Sequence, residues 1–130
     1  MVLDKTLSRR IVTASLRYLG KPFDWETFNC VHFVRSVYQD VDMQFPILKR
    51  YDLPPREFHL GNNEFARMPR GHSVFFKRKA SPVKRYWTHM AIIIGSDKLI
   101  HCTRHLGTGV TITPKSEFLE TYALSPCDCI

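Results

Sequence analysis

The stretch Phe28-Asn29-Cys30-Val31-His32-Phe33-Val34-Arg35-Ser36-Val37-Tyr38 puts a cysteine one residue after a good helix cap. Asparagine favours the N-cap position, and Cys30, Val34 and Val37 then follow at i, i+4 and i+7, the spacing of one buried helical face. A thiol in the first turn of a helix feels the partial positive charge of unpaired backbone N–H groups, which lowers its pKa toward the thiolate. The pattern predicts a helix whose stripe is buried and whose first turn stays near the surface. An inert buried cysteine is the competing reading of the same stripe.

Working outward, two histidines follow on strand-like runs. Thr88-His89-Met90-Ala91-Ile92-Ile93-Ile94-Gly95 opens one, and Leu99-Ile100-His101-Cys102 opens the next, with the histidines twelve residues apart. A thiolate, a histidine that takes and returns its proton, and a third polar residue that holds the ring make up a cysteine hydrolase. Cys30, His89 and His101 are the candidate catalytic residues in those three roles. His32 is close to Cys30 in sequence, but residues i and i+2 on a helix face different ways. His59, His72 and His105 match no role.

Around these runs the chain divides into helices first and strands later. Leu7, Ile11, Ala14 and Tyr18 keep helical spacing, with Asp4 or Thr6 as cap and Gly20 as stop. Residues 40–70 hold Pro46, Pro54, Pro55 and Pro69 with weak periodicity, as in a lid or binding loop, with a short helix expected over 62–67. Residues 73–77, 90–94, 98–103 and 109–113 are β-prone, and 95–97 carry hairpin-turn chemistry. Thr113 as cap and Pro114 as first residue predict a short terminal helix. The expectation is one α+β domain over residues 1–130, with N-terminal helices packed on an antiparallel sheet.

Composition narrows the classes. Hydrophobic residues make up 44% and charged residues 24%, the balance of an ordinary globular domain. No run approaches the roughly 20 apolar residues of a membrane span, and the first residues lack a signal-peptide core. Synthesis in the cytoplasm, with any export by a signal-independent route, is the expectation. The four cysteines, Cys30, Cys102, Cys127 and Cys129, form no disulfide framework and no zinc-ligand spacing, so neither metal nor cofactor is expected.

The ordered motifs resemble the NlpC/P60 family of papain-like cysteine peptidases. Tyr18-Leu19-Gly20-Lys21-Pro22-Phe23-Asp24-Trp25 is similar to the family's Y-x-G-x-P-Y-x-W-G-G opening motif. Asn29-Cys30 with Phe33-Val34 and Val37-Tyr38 resembles its nucleophile helix. Pro69-Arg70-Gly71-His72-Ser73-Val74-Phe75-Phe76 follows P-G-D-L-V-F-F in outline, and His89 to Gly95 follows H-V-G-I-Y-I-G. The resemblance covers residues 18–112 and implies a papain-like fold and hydrolysis of an amide in bacterial cell-wall peptide. It implies a Cys30, His89 and His101 triad, with substrate contacts at Phe23, Trp25 and Asn29. Asn29 for Asp, Val31 for Ser, Phe23 for Tyr, His72 for Asp and the missing glycines after Trp25 depart from the pattern. They keep open a related thiol hydrolase or acyltransferase acting on another amide, thioester or lipid.

The net charge of +7 points to a polyanionic partner. Lys77, Arg78, Lys79, Lys84 and Arg85 crowd one inter-strand segment ahead of His89, where they would form an electropositive rim with Tyr86 and Trp87 as an aromatic platform. The bland reading of this run is a solvated loop. A secretion-machine effector, with an immunity protein as its partner, or a phage-derived lysin would fit a wall hydrolase without a signal peptide. A basic nucleic-acid-binding module is the non-enzyme alternative, although no recognised nucleic-acid motif accompanies the charge.

Overall fold

The computed structural model describes residues 4–44, 65–78, 87–105 and 108–124. Helix α1 spans Lys5–Leu16, and of the two candidate caps Asp4 is the one used, its carboxylate accepting the Leu7 N–H at 2.7 Å. The helix stops short of Tyr18, and the chain turns through Gly20, whose φ is +83°. Helix α2 spans Cys30–Asp40. The Asn29 side-chain oxygen accepts the N–H groups of Val31 and His32, and His32 Nδ1 accepts the N–H of Asn29, closing a capping box. Histidine thus fills a position where glutamate or glutamine is usual.

Strands β1 (Ser73–Arg78), β2 (His89–Ile93), β3 (Lys98–Thr103) and β4 (Gly109–Pro114) follow the β-prone runs closely. Helix α3 (Lys115–Thr121) leads into a short β5 (Tyr122–Leu124), which the sequence reading did not anticipate. All neighbours are antiparallel, in the order β4-β3-β2-β1-β5. The last helix is capped by Pro114, one residue later than expected, because the Thr113 hydroxyl is engaged by His101 instead. Of the short helix expected over 62–67, Phe65 and Ala66 are helical and residues 62–64 lie outside the described residues.

Side chains alternate across the strands, so the sheet has two buried faces. Phe75, Met90, Ile92, Ile100, Cys102 and Val110 pack under α1 and α2, against Ile11, Phe33, Val34 and Val37. Val74, Phe76, Ala91, Ile93 and Leu99 pack on the other side with Phe65, Phe118 and Tyr122. This is the α+β architecture expected, helices on an antiparallel sheet, with α3 added on the second face.

One close approach joins the two halves of the chain. Gly20 N–H donates to the Val110 carbonyl, and Val110 N–H donates to the Lys21 carbonyl, both at 3.0 Å. Gly109 makes room for this, since a Cβ there would stand 2.2 Å from the Lys21 oxygen, and its φ of +118° suits glycine. The segment carrying Phe23, Trp25 and Asn29 is thereby tied to the edge strand β4. Asp24 and Phe28 exchange both backbone hydrogen bonds at 2.9 Å, and Asp24 Oδ1 also accepts from Glu26 and Thr27, closing a compact turn ahead of α2.

Candidate active site

The local chemistry begins with Cys30 at the first residue of α2. It is 2% exposed, while Val31 and His32 of the same turn are half-buried, so the turn reaches the surface but the thiol itself is covered. Cys102 of β3 lies beside this segment, its thiol donating to the Phe28 carbonyl at 3.5 Å. Burial, and then the nearby Cys30, push the Cys102 pKa up to about 12, with Lys21 opposing. Cys102 therefore stays a neutral thiol, which separates it chemically from a nucleophile.

His101 is the residue before Cys102, so its side chain leaves the opposite face of β3. There His89 Nε2 and His101 Nδ1 are 2.7 Å apart, and His101 Nε2 lies 2.9 Å from Thr113 Oγ1. The structure thus brings the two histidines together, as the sequence pattern expects. It adds Thr113 as the group behind them. His101 is fully buried, and desolvation lowers its pKa from 6.5 to about 3, so it works as a neutral ring. Two tautomer arrangements satisfy both contacts, and in the one that suits a general base His89 donates from Nε2 to His101 Nδ1 and His101 donates from Nε2 to Thr113. His89 Nδ1 then carries the lone pair that a general base needs.

The plane of His89 is set by aromatic contacts. Tyr122 stacks on it at 4.6 Å between centroids, Phe118 lies tilted at 5.9 Å, and His101 meets it edge-on at 5.0 Å. The Tyr122 hydroxyl is 3.1 Å from Thr103 Oγ1, which also accepts the His105 N–H. Neither Phe118 nor Tyr122 stood out in the sequence. Their approach depends on β5 pairing with β1, a contact made far along the chain.

The predicted substrate residues divide. Trp25 is 51% exposed, and Phe23 is half-buried, with the Arg104 guanidinium 5.6 and 5.8 Å from their ring centroids. This cation over two aromatic rings is a rim that the motif reading missed, since Arg104 lies just past β3 with no local signal. The Asn29 side chain caps α2 through its oxygen and donates from its amide to the Trp25 carbonyl at 3.1 Å, so it holds the rim in place. Trp87 corrects the expectation of an open platform. It is fully buried, edge-on to Phe75 at 4.9 Å, because the face under α2 has room for a large ring there. Tyr86, Lys79, Lys84 and Arg85 of the basic segment, and Cys127 and Cys129, lie outside the described residues, whereas Lys77 and Arg78 belong to β1.

Among the described residues no group of three or more histidine, cysteine or acidic side chains could hold a metal ion, and no helix is long and apolar enough to cross a membrane. The family model described as NlpC/P60 family matches residues 20–124. A solved structure of an NlpC/P60 family protein from Bacillus cereus ATCC 10987 superposes with a TM-score of 0.60 at 22% identity. The match covers 91% of this chain and 39% of that one, so this chain spans well under half of that protein's length. No curated protein matches.

Proposed function

Since this chain belongs to the NlpC/P60 family, whose members are cell-wall peptidases and amidases in general, we propose that it is a cysteine amidase that cleaves an amide bond in bacterial cell-wall peptide. The observation that carries the reading is the ordered pair of buried histidines on β2 and β3, the strands on which the capped cysteine helix packs. The Phe28 carbonyl, two residues before Cys30, bonds Cys102, and Cys102 is the chain neighbour of His101. Cys30 attacks the scissile carbonyl as thiolate. His89 receives the thiol proton and returns it to the leaving amine, while His101 and Thr113 fix its tautomer and plane. The neutral state of His101 suits an orienting role, because it can accept from His89 Nε2–H whether or not His89 is charged. Phe23, Trp25 and Arg104 would form the substrate rim. A secretion-machine effector or a phage-derived lysin is the biological setting this activity fits, and the departures at Asn29 and Val31 leave another amide, thioester or lipid as the alternative substrate.

The deciding experiment is mass spectrometry of purified peptidoglycan fragments incubated with the protein, with Cys30→Ala as control. New amine and carboxylate termini formed only by the unsubstituted protein are expected. Intact fragments, with turnover of a thioester or lipid ester instead, would replace the wall substrate by the alternative. The mechanism has its own check in alkylation by iodoacetamide, mapped by mass spectrometry. Cys30 should react below pH 7 and slow sharply in His89→Ala, whereas Cys102 should stay unreacted. Equal rates at Cys30 with and without His89 would discard the pairing.

A further inference from the structure

Away from the histidines, α1 presents Lys5, Ser8 and Arg9 at i, i+3 and i+4, so they share one face. That face meets the turn holding Arg67 and Arg70, and Gly95 and Ser96 of the β2–β3 hairpin, around a cavity of about 540 Å³. The hairpin closes the far end of β2, while His89 opens the near end. Backbone and hydroxyl contacts preform the walls: Ser8 Oγ donates to the Arg70 carbonyl, and Gly71 N–H donates to the Ile93 carbonyl at 2.7 Å. Among the described residues, four cations and no carboxylate line the space. Asp4, the acidic residue beside Lys5, is committed to the α1 cap.

We propose that this cavity binds a compact phosphate-rich anion, a linear triphosphate group being the best match in charge and size. Three of the four cations are guanidinium groups, whose planar forks pair with phosphate oxygens through two parallel hydrogen bonds. They come from two different elements, so a ligand with several adjacent phosphates can engage both at once, as a single carboxylate cannot. The volume lies within the range of small-ligand sites and suits a few phosphates better than the flat face that a duplex requires. Gathering four like charges around one space costs stability that a bound anion would relieve, so the free protein should be stabilised by its ligand. The same chemistry is offered by inorganic polyphosphate and by a nucleoside triphosphate.

Isothermal titration and thermal unfolding with sodium tripolyphosphate and with ATP, both without magnesium, test the site at fixed ionic strength. Saturable binding by tripolyphosphate is expected, with a rise in Tm of several degrees. Arg67→Gln and Arg70→Gln should each weaken it about tenfold, as should Arg9→Gln on the separate helix. These side chains are exposed, so the variants should keep the Tm of the free protein within a few degrees. Tighter binding of ATP would identify the nucleotide as the source, and equal binding would identify the phosphate chain alone. A Tm rise reproduced by sodium chloride at the same ionic strength, or affinity unchanged in all three variants, would overturn the proposal.

Discussion

His101 connects the chemistry of the site to the stability of the fold. An unfolded chain protonates this ring near the ordinary histidine value of 6.5, whereas the folded one does so only near 3. Between those values the unfolded state binds the extra proton, so stability is full above pH 6.5 and declines as pH falls toward 3. The slope from this one group reaches about 1.4 kcal/mol per pH unit. His32 and His72, whose pKa values burial also lowers, act in the same direction. Urea unfolding at pH 7.5 and pH 5 should therefore show a smaller acid loss in His101→Asn than in the parent; equal losses would mean that His101 contributes no linkage. Thr113→Val should cost about 1–3 kcal/mol by leaving His101 Nε2 without its partner in the core, while Thr113→Ser should nearly restore stability and turnover. Thr113 was hidden in the sequence as one β-branched residue among several. The register of β3 against β4 sets His101 opposite Thr111, yet the hydroxyl that reaches its ring is that of the diagonal Thr113, a cross-strand contact that no local pattern carries.

At the scale of elements, the two joints that set the segment leading to Cys30 can be separated by mutation. Removing the α2 cap with Asn29→Ala should lower stability by about 1 kcal/mol, and Asn29→Asp should leave the cap intact. The acidic variant should also raise the pKa of the neighbouring Cys30 through like charge, visible as slower alkylation at pH 6. Gly109→Ala meets both a forbidding φ and the Lys21 carbonyl, so a loss of about 3 kcal/mol or more is expected from the urea midpoint. An unchanged midpoint would show that the segment can move away from β4 without penalty. The caps of α1 and α2 and four of the strands were legible because their signals are local: Asp4 and Asn29 before apolar periodic runs, and alternating or continuous β-prone stretches near turn residues. β5 was not, since three residues after a helix carry no period and acquire their strand identity from pairing with β1. Trp87 was misjudged for a related reason. Its basic neighbours in sequence looked solvated, but the start of β2 turns that ring inward.

Across the whole molecule, the two apolar clusters share the strands between them, so neither can lose its packing while the other remains intact. A single cooperative transition is the expectation. In Trp25→Phe, the remaining indole, Trp87, is buried in the cluster under α2, and its fluorescence should change with urea at the same midpoint as far-UV circular dichroism. Separate midpoints would show that the face under α2 opens before the sheet does. The same interdependence has an order in time, set by the backbone bonds between Lys21 and Val110. Residue 110, on the partner strand β4, is made 89 residues after residue 21. At about 5–20 residues per second, this leaves an interval of roughly 4–18 s. Throughout it, the segment leading to Cys30 has no β4 to anchor it, and the Thr113 that orders the histidines does not yet exist. A nascent chain therefore carries Cys30 unanchored, and the surroundings seen in the folded structure can close around it only once residues 109–113 have been made.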